Sequence, residues 1–127
     1  MVNIKIKEIE IYHPKKLINR KHYLDLYKEA GKDISSLLNV LGREDKYVID
    51  SDNENTLTMG IDVAKQVLKK GGLEGKDIDI IIFATQTPES LFPANSLQVH
   101  QAIEAGRKTL SLDMNANCTG MLVAIEQ

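Results

Sequence analysis

Residues 77–85 read DIDIIIFAT, and residues 109–121 read TLSLDMNANCTGM. In the first stretch, Ile78 and Ile80 to Ala84 form a nearly unbroken apolar run of β-branched and aromatic residues, the pattern of a strand covered on both faces. In the second, Leu110, Leu112 and Met114 alternate with Thr109, Ser111 and Asp113, which predicts another interior strand. Between them, Pro93 suits the first turn of a helix that carries Val99, Ala102 and Ile103 on one side and closes at Gly106.

Upstream, Thr56 to Lys70 places Leu57, Ile61, Ala64 and Leu68 on one helical face, and Gly71-Gly72 ends it. The polar run DSDNENT before it supplies turn and cap residues. Asn19 to Ala30 is helix-like, with Asn19 as cap and Gly31 as stop; Ser35 to Leu41 forms a further short helical piece, and Tyr47 to Ile49 a short strand. Val2 to Tyr12 alternates, with Ile4, Ile6, Ile9 and Ile11 among Lys and Glu, and predicts a strand that turns at His13-Pro14. The alternation of strands with helices predicts an α/β layered fold with a mostly parallel sheet and helices on its faces. The whole chain, 1–127, is expected to be one domain. Its last helix, in CTGMLVAIEQ, has an apolar face of Met121, Leu122 and Ile125 but no cap. That predicts an incomplete fold, the front part of a longer protein. The alternative is a small domain whose last helix frays.

Cys118 is the one cysteine. A thiol attacks as thiolate, and an ordinary cysteine with a pKa of about 8.5 is only slightly ionised near neutrality. A cysteine that begins a helix meets backbone N–H groups without intrahelical partners and the positive end of the helix dipole. Ala116, Thr119 and Gly120 keep its surroundings small, so an acyl group can approach, and a strand-to-helix turn would set the sulfur at the carboxyl end of the sheet. The competing reading is a buried cysteine acting as a small hydrophobe.

Hydrophobic residues make up 43% of the chain, enough for a real core. A formal charge of −2 with interspersed signs provides no basic surface for nucleic acid. One cysteine cannot form an internal disulfide, and neither a signal peptide nor a membrane-spanning run is visible, so a cytoplasmic setting without membrane partners is expected. A dinucleotide fold would need glycines after the first strand, where the sequence reads YHPKK; GGLEGKD has the wrong spacing for a phosphate loop. The histidines His13, His22 and His100 lack metal-ligand spacing, and no metal or other cofactor is expected.

NANCTGMLVAI after a strand, preceded by DIDIIIFATQTPESLFPANSLQVHQAI and, further upstream, by IYHPKKLINRKHYL, resembles the first half of the β-ketoacyl-acyl carrier protein synthase III family of the thiolase superfamily. The resemblance covers essentially all of the chain, most strongly from Thr56 onward, and implies a thiolase-like half. It implies that Cys118 takes an acyl group as a thioester, which malonyl-acyl carrier protein then attacks after decarboxylation. The backbone N–H of Cys118 would help bind the thioester oxygen, with Thr119 and Gly120 beside the substrate. Phe92 matches the aromatic residue that lines the acyl pocket, often from the other subunit of a homodimer, and its alternative is ordinary packing.

The family's catalytic histidine and asparagine match nothing here, so these 127 residues are expected to be inactive by themselves. Where members that use coenzyme A carry a tryptophan and an arginine, this chain has Ser36 and Val40, with Arg43 and Lys46 nearby. That puts a coenzyme A donor in doubt and leaves open a condensing enzyme of a specialised acyl pathway. A non-catalytic interaction module is the remaining alternative.

Overall fold

The structure, a computed structural model, describes residues 5–127. The chain forms two compact units, His13–Glu54 and a larger one that joins the residues up to Tyr12 with Asn55–Gln127.

The larger unit is built on a strand–helix–strand core. Strand β3, Ile80–Ala84, pairs in parallel with β4, Leu110–Met114, with Ile80 opposite Leu110 and Ala84 opposite Met114. A parallel pair needs a crossover, and α4, Asn95–Ala102, provides it and packs on both strands. Helix α3, Thr56–Gly71, packs on α4. Its start is fixed by a reciprocal cap: Asn55 Oδ1 accepts from Thr58 N–H at 2.8 Å, and Thr58 Oγ1 accepts from Asn55 N–H at 2.9 Å. Its end is Gly72, whose φ of 63° suits glycine. Leu57 of α3 and Val99 of α4 are buried, each worth about 1.5–3 kcal/mol in transfer terms.

Two glycines allow the elements to close up. A Cβ on Gly60 would stand 2.8 Å from Cε2 of Phe83, and one on Gly75, in the short 3-10 turn Gly75–Asp77, would stand 1.8 Å from the Ile103 carbonyl oxygen. The last helix, α5, Gly120–Glu126, packs its start against β3.

The smaller unit pairs β1, Lys16–Asn19, antiparallel with β2, Asp45–Val48. Between them run α1, Arg20–Glu29, and α2, Ser35–Leu41. Asn19 caps α1 by accepting from His22 N–H at 3.1 Å. Arg20 ties the unit together, donating to Ser35 O at 3.2 Å and to Asn39 Oδ1 at 2.5 Å, and pairing with Glu44 at 3.4 Å. Leu38 is the buried apolar residue here.

The α/β class, the parallel pair and most helix bounds follow the sequence expectations, but four placements differ. The strand expected over Val2–Tyr12 is not one over Lys5–Tyr12, and its first residues lie outside the described ones. Lys5–Tyr12 instead lies by the last turn of α3, where Lys70 Nζ donates to Ile9 O at 3.0 Å and faces Glu8 and Glu10. The first strand among the described residues is β1, after His13-Pro14, because its partner β2 lies in the same unit. Strand β2 begins at Asp45 and ends before Ile49. Helix α4 is shorter than expected at both ends: Pro93 precedes it by two residues instead of entering its first turn, and it ends at Ala102, with Ile103 as its cap, instead of running on to Gly106. The β3–β4 pair is also not covered on both faces: Ile80, Leu110 and Leu112 remain exposed, because among the described residues this sheet has two strands and few elements to bury them.

Candidate active site

Strand β4 ends at Met114, and within six residues the chain turns into α5. Asn117 takes a left-handed φ of 51°, a conformation asparagine tolerates better than most residues. Asn115 Oδ1 accepts from Asn117 N–H at 3.3 Å. Ala116 O accepts twice, from Thr119 N–H at 3.2 Å and from Thr119 Oγ1 at 2.8 Å. These bonds make a tight 3-10 turn, Asn117–Thr119, with Cys118 at its centre. Gly120 is buried behind it, and a Cβ there would stand 3.7 Å from Ala84 Cβ at the end of β3.

Cys118 is exposed, which excludes the reading of a buried hydrophobe. Its placement differs in detail from the sequence expectation: it precedes the first residue of α5 by two positions. The N–H groups of Thr119 and Gly120 are occupied by Ala116 O and Asn117 O, as a 3-10 turn requires. Cys118, Thr119 and Gly120 therefore stand together on one elbow at the carboxyl end of the parallel pair, where α/β folds place ligands.

Beside that end lies an open cavity of about 250 Å³, lined by Thr85, Pro88 and Leu91 from the segment after β3 and by Asp113, Met114 and Asn115 from β4 and the turn. Phe92 and Cys118 do not line it; Phe92 projects from the same segment and is 91% exposed, as is Leu91. The structure thus brings the segment before α4 and the approach to Cys118 to one cavity, and leaves Phe92 at an exposed tip.

Asp113 is the site residue that the sequence did not single out. Its Oδ2 accepts from Asn95 N–H at 2.8 Å and Asn95 Nδ2 at 3.1 Å, and its Oδ1 accepts from Ser96 N–H at 2.7 Å. Partial burial by itself would raise the Asp113 pKa; the bonds from Ser96 and Asn95 outweigh it and hold the carboxyl below the ordinary 3.8. Polar Asn-Ser at a helix start was the available signal, but a cap supplied from a strand 17 or 18 residues later leaves no local spacing.

His100 Nε2 lies 3.0 Å from Gly106 O, at the opposite end of β4 from Cys118. The length of the strand separates those ends by roughly 13 Å. His13 and His22 lie in the smaller unit. Among the described residues, no group of three or more His, Cys, Asp or Glu stands together as a metal would require. Ser36 and Val40 lie exposed on α2, whereas Arg43 and Lys46 line a small cavity of about 60 Å³ with Tyr23 and Leu38.

No protein-family model matches the chain. A curated relative does: "Beta-ketoacyl-[acyl-carrier-protein] synthase III" of Clostridium perfringens is 31% identical over 126 residues, which cover 99% of this chain and 37% of the relative. The chain is a relative of β-ketoacyl-acyl carrier protein synthase III. Among solved structures, the 3-oxoacyl-[acyl-carrier-protein] synthase III of Aquifex aeolicus superposes with a TM-score of 0.75 at 25% identity, covering 91% of this chain and 35% of that one. The 3-oxoacyl-(acyl-carrier protein) synthase of Burkholderia xenovorans superposes at 0.80 with 19% identity, over 90% of this chain and 32% of the other. The fold of this synthase III relative is thus thiolase-like. It spans little more than a third of the length of the curated relatives it matches. Among the described residues of this synthase III relative, no helix is long and apolar enough to cross a membrane.

Proposed function

We propose that this chain supplies the nucleophile of a β-ketoacyl-acyl carrier protein synthase III-like condensing enzyme, acting in fatty acid or related biosynthesis in the cytoplasm. The observation that carries the reading is the exposed Cys118 on a tight turn at the carboxyl end of β3 and β4, beside an open cavity. In the first step the Cys118 sulfur bonds to the acyl carbon of a thioester, and the donor's thiol leaves. In the second, malonyl-acyl carrier protein loses carbon dioxide, its carbanion attacks the acyl carbon, and the Cys118 sulfur departs. The Cys118 N–H polarises the thioester oxygen, Thr119 and Gly120 border the substrate, and Phe92 reaches the acyl pocket of a second copy.

The acid/base partners that the second step needs are not among His13, His22 and His100, so the 127-residue chain acylates without condensing. Incubation with an acyl-acyl carrier protein, followed by intact mass and peptide mapping, tests this. An acyl adduct on Cys118 that is lost in Cys118→Ser supports the reading; an adduct elsewhere, or none, removes it. Formation of a ketoacyl product by the isolated chain would contradict its predicted inactivity.

The second reading, a non-catalytic interaction module, is favoured by the exposed apolar face of Met121, Leu122 and Ile125 on α5. Alkylation separates the two, since an inert module reacts with iodoacetamide at Cys118 no faster near pH 7 than the unfolded chain does.

A further inference from the structure

We propose that Asp113 and Asn95 are positioning residues that anchor the segment of residues 85–94, so that its Leu91–Phe92 tip is held beside the cavity at the carboxyl end of the parallel pair. The link to acyl choice rests on the function proposed above; the anchoring does not.

The tip cannot hold itself in place, because Leu91 and Phe92 are both 91% exposed and gain little from burial. What holds the segment is a chain of hydrogen bonds at its base. Asn95, which is fully buried, donates through Nδ2 both to Asp113 Oδ2 at 3.1 Å and to Ser90 O at 3.3 Å. Ser90 Oγ donates to Pro93 O at 2.8 Å, which pulls the two sides of the tip together, and Gln98 Nε2 of α4 donates to Ser90 Oγ at 3.0 Å. At the other end, Thr56 Oγ1 of α3 donates to Thr87 O at 3.1 Å, and Thr87 N–H donates to Thr85 Oγ1 at 3.2 Å. One side chain, Asn95, therefore connects the last turn before the helix to the strand that leads into the Cys118 elbow. Leu91 and Asp113 both line the cavity, so a displaced segment would change its shape.

Asn95→Ala isolates the tie. The backbone N–H groups of residues 95 and 96 still reach Asp113, so α4 stays capped while the bond to Ser90 O is lost. Asn95→Ser is the milder second variant, used where Asn95→Ala no longer unfolds cooperatively: its hydroxyl keeps a polar group at the buried position but has one hydrogen to donate, so it cannot bond Ser90 O and Asp113 Oδ2 together. Hydrogen exchange followed by mass spectrometry should show amides of 85–92 exchanging on the order of tenfold faster in either variant, with β3, β4 and α3 unchanged. Unchanged exchange in that segment, or an equal rise throughout the unit, overturns the anchoring. The same variants should change the ratio of Cys118 acylation rates between short and long acyl thioesters by several-fold. A native chain that never acylates Cys118 defeats the proposed function, whereas the exchange experiment still decides the anchoring.

Discussion

The Asp113 carboxylate accepts both the backbone N–H and the side-chain amide of Asn95, at 2.8 and 3.1 Å, and so fastens the end of β4 to the start of α4. Helix α4 has no side-chain cap from its own N-terminal residue, Ala94, and this strand carboxylate takes that role. The consequence reaches beyond one helix, because β4 leads directly into the turn that presents Cys118.

Asp113→Ala should lower stability at neutral pH by about 1 kcal/mol, the usual cost of a lost cap. Because the folded carboxyl titrates below the ordinary 3.8, its contribution is present above that value and is lost as pH falls through the depressed one. Urea unfolding at pH 7 and at pH 3 should therefore show the gap between variant and native chain narrowing in acid. A gap equal at both pH values would assign the effect to packing.

Gly75→Ala should destabilise the larger unit by about 1–3 kcal/mol, since its Cβ would lie 1.8 Å from the rigid Ile103 carbonyl oxygen. Thermal unfolding checks this, with Gly72→Ala as a comparison at a position with open space but a left-handed backbone.

Asn55→Ala and Thr58→Ala should each cost about 1 kcal/mol, and the double variant less than their sum, because each side chain caps the other's backbone N–H. A double-mutant cycle by chemical denaturation measures the shortfall, and strict additivity would count against a reciprocal cap.

Gly120→Ala should leave stability within about 1 kcal/mol of the native chain, since the added methyl meets Ala84 Cβ at an ordinary 3.7 Å and alanine favours the helix. A fall in Cys118 acylation in this folded variant would show that the glycine keeps room for the substrate; unchanged acylation would restrict it to packing.

Replacing Leu91 and Phe92 by serine should change stability by no more than about 0.5 kcal/mol, given their exposure. Their loss should alter which acyl thioesters label Cys118, read by competition between short and long donors. Loss of folding instead would mean that the tip has a packing role in the free chain.

Most of the local structure was legible from residue order. Asn19 caps α1, Ser35–Leu41 forms α2, and the two apolar runs became β3 and β4 in parallel, because caps and periodicity act over a few residues. The elbow around Cys118 was also visible as small residues after a strand. Its detail was not: the left-handed Asn117 and the 3-10 turn move the cysteine ahead of the helix, an outcome set by which carbonyls the turn can satisfy.

The sequence by itself determined where the helices and the parallel strands β3 and β4 form, where α1 and α3 stop, and that one cysteine follows a strand. Only the tertiary structure decided that β1 follows His13-Pro14 and runs against β2, that Asp113 caps α4, and that Asn95 ties Ser90 to it. The physical reason is range: β1 meets β2, and Asp113 meets Asn95, only when the folded backbone brings distant donors and acceptors together, and no period of 2 or 3.6 along the chain encodes that meeting.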